Sequence, residues 1–276
     1  GTAWRATCWP DDSGVMKLLN SILDLDAFFD RLRKASQRVL LLDYDGTLAP
    51  FRAEREQAAP YPRIPPLLDE IVQCRRSRLA IVSGRATPAV AALLGLKRTP
   101  EIFGSHGAER LSIDGTYRSP TVPEATRAVL GEAYQWAGDQ GLQRQTELKP
   151  AGIAFHWRGL EREAAERIRQ SVRTQSSRWS DRSGLELREF DGGLELRLPG
   201  ITKGDVVRTV LAESDDQAVV AYLGDDPTDE DAFEALAGRG LSILVRTELR
   251  PTKADLWLIP PEDLVSFLHR WLESCK

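Results

Sequence analysis

The sequence predicts a Rossmann-like α/β fold in which a parallel sheet, covered by helices on both faces, carries a separate α+β module as an insertion. Along most of the chain, short apolar runs that end in polar residues alternate with segments of helical periodicity, which is typical of parallel sheets. Between residues 117 and 198 the pattern changes to pairs of strands, and Asp191-Gly192-Gly193 is a hairpin turn signal. The first pattern predicts the core and the second predicts the inserted module.

The elements ahead of the insertion begin with a helix. Ser21 is an N-cap candidate followed by apolar residues at helical spacing, which predicts a helix over residues 21–36. The run Val-Leu-Leu-Leu at 39–42 predicts a central parallel strand, because such strands are buried on both faces. The same criteria predict a helix at 66–76, a strand at 79–82, a helix at 87–94 and a strand at 102–103.

The insertion and the second half of the core follow from the same patterns. The insertion is predicted to contain a helix, strands at 142–147, 153–157, 185–190 and 194–198, and a charged helix at 160–178. The core is predicted to resume with helices at 203–213, 229–237 and 261–273 and strands at 218–223, 241–245 and 256–259. The chain is thereby divided into a core of residues 16–117 and 199–276 and an inserted α+β cap domain of residues 118–198.

Composition and charge narrow the class of protein. The 276 residues carry a formal net charge of −4, which argues against a nucleic acid or an anionic membrane as the partner. No apolar run approaches the roughly 20 residues of a membrane span. Three scattered cysteines are too few for a disulfide framework, so we expect a reducing, cytoplasmic setting. Residues 1–15 have no period and precede the only methionine, Met16, which predicts a non-native leader, with a genuine N-terminal arm as the alternative.

Two carboxylates follow the first predicted core strand, in Asp43-Tyr44-Asp45-Gly46-Thr47. The carboxyl end of a parallel strand is where such sheets bind ligands. One carboxylate there can attack phosphorus, and a second can protonate the leaving oxygen and then activate water. Because residues two apart on a strand point to the same side, Asp43 and Asp45 can address one site. The structural alternative is an ordinary Asx-rich turn.

Two more segments offer positive or hydrogen-bonding groups to a phosphate. Ser83, Gly84 and Arg85 end the next predicted strand with a hydroxyl, a glycine and a guanidinium, which together suit a phosphate cradle. Lys203 opens a predicted helix, and an ammonium group at a helix N-terminus can neutralise phosphate. These residues therefore predict a phosphate site beside the two carboxylates.

A third predicted strand ends in clustered carboxylates, in Leu-Gly-Asp-Asp-Pro-Thr-Asp-Glu-Asp at residues 223–231. Carboxylate oxygens are hard ligands that suit Mg²⁺. Thr228 with Asp231 predicts the N-cap of the next helix, so Glu230 and Asp231 are given a capping role. Metal binding is assigned to Asp225.

The four strand-end signals, in this order, resemble the haloacid dehalogenase superfamily over essentially everything after residue 38. The resemblance implies a core with a C2-type cap, and Mg²⁺ as the cofactor. It implies the following roles: Asp43 as nucleophile and metal ligand, Asp45 as acid/base and as metal ligand through its carbonyl, Thr47 and Ser83 as phosphate ligands beside Gly84 and Arg85, Lys203 as the neutralising cation, Asp225 as metal ligand, and Asp229 as an acid of the metal shell or a partner of Lys203. The superfamily's phosphoryl-transferring pumps carry Thr at the second acidic position, so Asp45 favours hydrolysis of a small phosphoester.

Three further segments resemble the trehalose-6-phosphate phosphatases within that superfamily. Residues 104–109 match the pattern GxHGxE, residues 147–149 with 156–158 match ExK…HxR, and residues 195–197 match ExR ahead of a Lys-Gly pair. The resemblance implies that trehalose 6-phosphate is hydrolysed to trehalose and phosphate, with a trehalose-phosphate synthase as a pathway partner. The residues that it implies in sugar binding are His106, Glu109, Glu147, Lys149, Arg158 and Glu195.

Rival interpretations remain for the substrate and for two histidines. The chain can be a phosphatase for another glycosyl or polyol phosphate, or a catalytically silent sugar-phosphate-binding domain, although its complete set of core residues disfavours the second. A nucleotide-binding oxidoreductase is disfavoured because no GxGxxG follows the first core strand. His106 is expected to contact the sugar or phosphate or else to hydrogen-bond its own turn, and His156 is a candidate core residue.

Overall fold

The computed structural model describes residues 16–52 and 54–276. The leader predicted for residues 1–15 lies outside these residues. Among the helices in the described ranges, none combines the length and the apolar character that crossing a membrane requires.

The described chain contains thirteen strands and eight α-helices. The strands are β1 (Lys17–Leu18), β2 (Arg38–Leu42), β3 (Arg78–Val82), β4 (Glu101–Gly104), β5 (Glu109–Leu111), β6 (Tyr117–Arg118), β7 (Thr146–Lys149), β8 (Gly152–His156), β9 (Glu186–Phe190), β10 (Gly193–Arg197), β11 (Val219–Gly224), β12 (Leu241–Val245) and β13 (Leu256–Leu258). The helices are α1 (Leu25–Lys34), α2 (Ile64–Cys74), α3 (Thr87–Leu94), α4 (Glu124–Asp139), α5 (Arg162–Ser183), α6 (Lys203–Ala212), α7 (Glu230–Leu236) and α8 (Glu262–Cys275).

A nine-stranded sheet forms the core, in the order β1-β13-β12-β11-β2-β3-β4-β5-β6. The six strands from β13 to β4 are parallel, and β1, β5 and β6 add to the edges in antiparallel orientation. The predicted α/β fold class is therefore confirmed, but the sheet is mixed rather than purely parallel. The three edge strands have two or three residues each, too few to show a period in the sequence.

Alternating side chains of the central strands bury both faces of this sheet. On β2, Leu40 and Leu42 pack in one cluster with residues of α1, α2 and α8. Val39 and Leu41 point to the other face and pack with residues of α6 and α7. This two-sided burial explains why the strand appears in the sequence as a continuous apolar run.

Among the predicted boundaries that differ from the structure, three have a local reason. The first helix begins at Leu25 rather than Ser21, because the Asp24 carboxylate accepts the backbone N–H of Ala27 at 2.9 Å and caps it. The strand predicted from residue 142 begins at Thr146, because residues 143–145 form a 3₁₀ turn. The helix predicted from 229 begins at Glu230, after another 3₁₀ turn.

The N-cap expected at Thr228 is not formed: the N-cap of α7 is Asp229, without a side-chain bond, and the side chain that caps in this loop is Asp226, at the start of the 3₁₀ turn. The Asp226 carboxylate accepts the backbone N–H of Thr228 at 2.9 Å, and Asp229 completes the capping box of the 3₁₀ turn. The loop after β11 is thus ordered by its own acidic residues before α7 begins.

A separate antiparallel sheet, in the order β7-β8-β10-β9, carries α4 and α5 on one face. Phe155, Trp136 and Trp179 pack together between that face and the helices. In the register of the sheet, Glu147 and Glu195 lie on either side of Ala154, so all three share the opposite, polar face. All four strands lie within the cap boundaries predicted at 118–198, and those boundaries remain a prediction.

Candidate active site

Asp43 directly follows β2 and is almost fully buried. Its backbone N–H bonds to the carbonyl of Leu223, which extends the pairing of β2 with β11 to this residue. Its Oδ1 accepts a hydrogen bond of 2.8 Å from Nζ of Lys203, the first residue of α6. Lys203 is also buried, so this contact is a charge-assisted pair shielded from water.

Asp43, Asp225 and Asp229 form a buried cluster in which one carboxylate oxygen of each residue lies within 4.8 Å of the others. Both carboxylate oxygens of Asp225 are buried and accept no hydrogen bond from the described residues. Burial, with the charges of Asp43 and Asp229, raises the pKa of Asp225 well above its ordinary value. Burial also raises the pKa of Asp43, to about 7. Buried oxygens that lack donors fit a hard divalent cation, which would supply the missing positive charge.

Gly46 allows Asp225 to approach the turn that follows Asp43. Its φ is +85°, and a Cβ atom at this position would lie 2.1 Å from Oδ2 of Asp225. Glycine is therefore required here both by the backbone conformation and by the close carboxylate.

Asp229 differs from the other two acids because its acceptor sites are filled. Oδ1 accepts from Nζ of Lys203 at 2.7 Å and from the Tyr222 hydroxyl at 2.6 Å. Oδ2 accepts the backbone N–H groups of Asp225 at 3.0 Å and Asp226 at 2.9 Å. A carboxylate has about four acceptor sites, so this geometry suits a residue that orients Lys203 and the loop after β11.

Asp45 forms a bidentate ion pair with Arg85. Nε and Nη2 of Arg85 each donate to one oxygen of the Asp45 carboxylate at 2.6 Å. The third nitrogen, Nη1, donates to the backbone carbonyl of Arg55 at 2.8 Å. The Arg85 guanidinium was predicted to bind phosphate, but in the structure it pairs with the Asp45 carboxylate.

Thr47 and Ser83 provide hydroxyl groups near the ends of β2 and β3. Thr47 is fully buried, and its Oγ1 has no hydrogen-bond partner among the described residues. Ser83 Oγ accepts the backbone N–H of Arg85 at 3.2 Å and keeps its proton available for another acceptor. Gly84 contacts the ring of His106 so closely that a Cβ atom would lie 2.8 Å from it.

A cavity of about 100 Å³ lies between the core and the antiparallel sheet. The core contributes Asp43, Asp45 and Lys203 to its lining, and the antiparallel sheet and its loops contribute Lys149, His156 and Arg158. Asp43 and Asp45 therefore reach one space, as their spacing predicts. The lining does not include Thr47, Ser83, Asp225 or Asp229, nor the predicted sugar ligands Glu147 and Glu195, which contact the lining residues Arg55 and Lys149 instead.

Lys149, Glu195 and His106 form a buried charged group where the antiparallel sheet meets the core. Lys149 Nζ donates to Oε1 of Glu195 at 2.9 Å. Nε2 of His106, in the turn after β4, lies 3.0 Å from Oε2 of the same carboxylate. Although burial alone would raise the pKa of Glu195, the charges of Lys149 and His106 hold it well below its ordinary value. Glu195 therefore remains a carboxylate, and Lys149 lines the cavity beside it.

Glu109, predicted to bind substrate, lies outside the lining of this cavity. It is buried and accepts hydrogen bonds from the hydroxyls of Ser105 at 2.5 Å, Tyr117 at 3.0 Å and Thr87 at 3.3 Å. These contacts hold together the turn after β4, the edge strands and the start of α3. Glu109 therefore has a structural role, and its carboxylate can affect the site only by holding the turn that carries His106.

The structure adds a residue that the sequence analysis missed, Arg55. It lies in a 3₁₀ turn of the core, lines the cavity and donates to Oε2 of Glu147 at 2.7 Å. His156, left open as a core residue, also lines the cavity, with Nε2 at 2.9 Å from Nη1 of Arg55. Arg158 lies over the ring of Phe51 and bonds to the carbonyl of Asp191. The segment around Arg55 has no period, so nothing in the sequence marks it.

Comparisons with known proteins agree with this geometry. Residues 41–258 match the model of the trehalose-phosphatase family. The chain is 34% identical over 248 residues to a trehalose-phosphate phosphatase of Mycobacterium marinum, covering 84% of this chain and 60% of that protein. It is 31% identical over 219 residues to a bifunctional trehalose-6-phosphate synthase/phosphatase of Thermoproteus tenax, covering 77% of this chain and 29% of that protein. The chain thus spans about three fifths of the first relative and less than a third of the second.

Solved structures show the same architecture. The C-terminal domain of the Candida albicans trehalose-6-phosphate phosphatase superposes with a TM-score of 0.76 at 18% identity, covering 93% of this chain and 99% of that one. The trehalose-6-phosphate phosphatase of Aspergillus fumigatus superposes with a TM-score of 0.66 at 25% identity, covering 92% and 99%. A haloacid dehalogenase-like hydrolase of Bacteroides thetaiotaomicron has a TM-score of 0.63 at 16% identity, covering 85% and 99%. The first and third support the fold alone. The match over residues 41–258, together with the mycobacterial relative, shows that this chain belongs to the trehalose-phosphatase family.

Proposed function

We propose that this chain hydrolyses trehalose 6-phosphate to trehalose and phosphate, with Mg²⁺ and through an aspartyl phosphate formed on Asp43. The observation that carries the proposal is the shared cavity, in which Asp43, Asp45 and Lys203 of the core face Lys149 and His156 of the antiparallel sheet. The first set suits phosphoryl transfer, and the second suits a polyhydroxyl ligand, because its charged groups can bond to adjacent hydroxyls. Membership of the trehalose-phosphatase family supports trehalose 6-phosphate, among sugar phosphates, as the substrate.

The core residues perform the chemistry in two steps. A carboxylate oxygen of Asp43 attacks phosphorus, and Asp45, protonated and released from its pair with Arg85, donates a proton to the departing oxygen of trehalose. Asp45 then takes a proton from water, which attacks the aspartyl phosphate and releases phosphate. Lys203 holds Oδ1 of Asp43 at 2.8 Å and offsets the negative charge of the phosphoryl group. Thr47 and Ser83 donate their hydroxyls to phosphate oxygens.

Asp43, Asp225 and the carbonyl of Asp45 would hold the Mg²⁺ ion. The two unpartnered oxygens of Asp225 support this assignment. When bound, the ion neutralises the charge of the cluster and of the transferring phosphoryl group. Asp229 acts through its four contacts to position Lys203 and the Asp225 loop. Residues that orient a ligand in this way commonly support a metal site from behind.

A phosphate-release screen over a panel of sugar phosphates, with and without Mg²⁺, tests the proposal. We expect trehalose 6-phosphate to give the highest kcat/KM, and activity to depend on the ion. A preference for another glycosyl or polyol phosphate would keep the mechanism and change the substrate. Binding of sugar phosphates without release of phosphate, at every Mg²⁺ concentration, would identify a silent binding domain instead.

The polar face of the antiparallel sheet gives a prediction about the sugar. Replacing Glu147, Lys149 or Glu195 by Ala should lower kcat/KM for trehalose 6-phosphate far more than for p-nitrophenyl phosphate. Groups remote from phosphorus orient the disaccharide, and losing one hydrogen-bonding partner costs about 1–3 kcal/mol, or roughly tenfold to a hundredfold in rate. Steady-state kinetics on both substrates provide the measurement.

The matched control for that series is Glu189→Ala. Glu189 is an exposed residue of β9 in the same sheet and pairs with Arg173 of α5, away from the cavity. It should change neither rate. Equal losses on both substrates in the Glu147, Lys149 or Glu195 variants would mean that these residues serve folding or closure of the sheet onto the core.

A further inference from the structure

Arg55 connects the core to the polar face of the antiparallel sheet through its side chain. Its Nη1 donates to Oε2 of Glu147 at 2.7 Å and lies 2.9 Å from Nε2 of His156. Nε2 of His156 is in turn 3.3 Å from the same Glu147 oxygen. The three groups form a closed triangle of contacts. Arg55 and His156 line the cavity and Glu147 contacts both, and the side chains of Arg55 and Glu147 are 30% and 23% exposed.

This triangle determines which part of Glu147 can meet a ligand. The contacts of Glu147 with Arg55 and His156, and a longer one of 3.9 Å with Lys149, all involve Oε2. Oε1 has no hydrogen-bond partner among the described residues. Although burial alone would raise the pKa of Glu147, the adjacent His156 ring and the charges of Lys149 and Arg55 keep it below its ordinary value. Glu147 is therefore a carboxylate fixed through one oxygen, and the other oxygen is the one that, in the proposed function, would accept from a hydroxyl group of the sugar.

The backbone of Arg55 has a different partner from its side chain. Its carbonyl accepts from Nη1 of Arg85 at 2.8 Å, and the other two nitrogens of Arg85 hold Asp45. A substitution at Arg55 removes the contact with Glu147 and leaves the carbonyl in place. The role of the side chain in reading the sugar can thus be separated from the support of Asp45.

We propose that Arg55, a core residue, determines sugar specificity by positioning Glu147. This inference rests on the proposed function, in which Glu147 binds the sugar of a sugar phosphate. Arg55 acts through Glu147, so the machinery that transfers the phosphoryl group should not require its side chain. Substitution of this core residue would then lower kcat/KM selectively for the sugar phosphate, as expected for substitutions of the sugar-binding residues of the antiparallel sheet.

A double-mutant cycle between Arg55→Ala and Glu147→Gln tests the proposal, with kcat/KM measured on trehalose 6-phosphate and on p-nitrophenyl phosphate. Arg55→Ala should lower the rate on the sugar phosphate about tenfold to a hundredfold, and the rate on the aryl phosphate less than about threefold. Both substitutions disrupt the same interaction, the one between Arg55 and Glu147. The double variant should therefore be no slower than the slower single variant. Arg55→Lys should recover part of the loss, since an ammonium group can bond to Glu147 but lacks the planar fork of arginine.

The control for removing one arginine is Arg63→Ala, which breaks an exposed pair with Glu262 and should leave both rates unchanged. Equal losses on the two substrates in Arg55→Ala, or additive losses in the double variant, would overturn the proposal. The cycle is run on the sugar phosphate that the wild type prefers. A preference for a sugar other than trehalose would contradict the proposed substrate while leaving the Arg55 comparison valid. Absence of turnover on every sugar phosphate would contradict both.

Discussion

Replacing Asp43 by asparagine is expected to abolish turnover on both trehalose 6-phosphate and p-nitrophenyl phosphate while the protein stays folded. Asparagine keeps the shape of the side chain but lacks the nucleophilic oxygen, so the aspartyl phosphate cannot form. Loss of a covalent nucleophile commonly costs roughly 10⁴-fold or more in kcat. The rate of phosphate release at saturating substrate, compared with the wild type, is the measurement.

The fold should tolerate this change because Lys203, the partner of Asp43, also pairs with the carboxylate of Asp229. Lys203 remains bonded to Asp229 at 2.7 Å, so its buried charge stays paired. Burial already raises the pKa of Asp43, which means that the site accommodates a neutral group more readily than a surface position would. We expect the thermal midpoint to shift by no more than about 4 °C.

Asp45→Asn provides the graded comparison for the nucleophile. It removes the acid/base and not the nucleophile, so turnover should fall by roughly 10²–10⁴-fold. With p-nitrophenyl phosphate, whose leaving group needs no proton from Asp45, slow hydrolysis of the aspartyl phosphate in this variant should let a phosphorylated chain accumulate, detectable by intact-protein mass spectrometry and absent from Asp43→Asn. Turnover close to that of the wild type in Asp43→Asn would refute the covalent mechanism.

Removing divalent ions should silence the enzyme, and added Mg²⁺ should restore it. Among the described residues, the oxygens of Asp225 are buried without hydrogen-bond donors, Lys203 pairs with Asp43 and Asp229 only, and Arg246 lies 3.9 Å away, so a bound cation would offset the charge of Asp225. Asp225→Ala removes two candidate ligand oxygens. It should raise the Mg²⁺ concentration for half-maximal activity by more than about tenfold, or eliminate activity. Mg²⁺ titrations of activity, and of heat in calorimetry, measure the two effects separately.

A matched control for the metal site is Glu234→Ala. Glu234 is an exposed acid that pairs with Lys253. Its removal should leave the Mg²⁺ titration unchanged, which would exclude a general effect of losing one negative charge. Full activity in excess chelator would contradict the metal assignment, whatever the behaviour of Asp225→Ala.

The parts of the molecule that the sequence predicted are those with a local signature. Central strands are buried on both faces, so they appear as apolar runs, and the polar residues that end them mark the carboxyl edge of the sheet. Asp43, Lys203 and Asp225 were predicted in this way to share one site, and in the structure Lys203 bonds to Asp43 while carboxylate oxygens of Asp43 and Asp225 lie within 4.8 Å of each other. The edge strands were missed because two or three residues cannot show a period.

Other features depend on which residues meet in three dimensions. The pairing of Arg85 with Asp45 joins positions 40 residues apart, and that of Arg55 with Glu147 joins positions 92 apart. No spacing rule distinguishes them from solvated charges. Glu109 matched a family pattern as well as His106 did, yet its hydroxyl partners turn it away from the cavity. A motif fixes the identity of a residue but not the direction in which its side chain points.

The placement of the proposed phosphate-binding and sugar-binding residues on different sheets has a consequence for how substrate specificity can evolve. The groups proposed to act on phosphorus belong to the core, whereas most groups proposed to bind the sugar lie on β7, β8 and β10, a contiguous part of the chain. Mutations in that part can therefore change which metabolite is accepted while the residues of the reaction centre stay the same. Arg55 is an exception, since a lineage that changes Glu147 would come under selection to change a residue 92 positions earlier. Substitutions at these two positions should consequently be correlated among descendants of one ancestor.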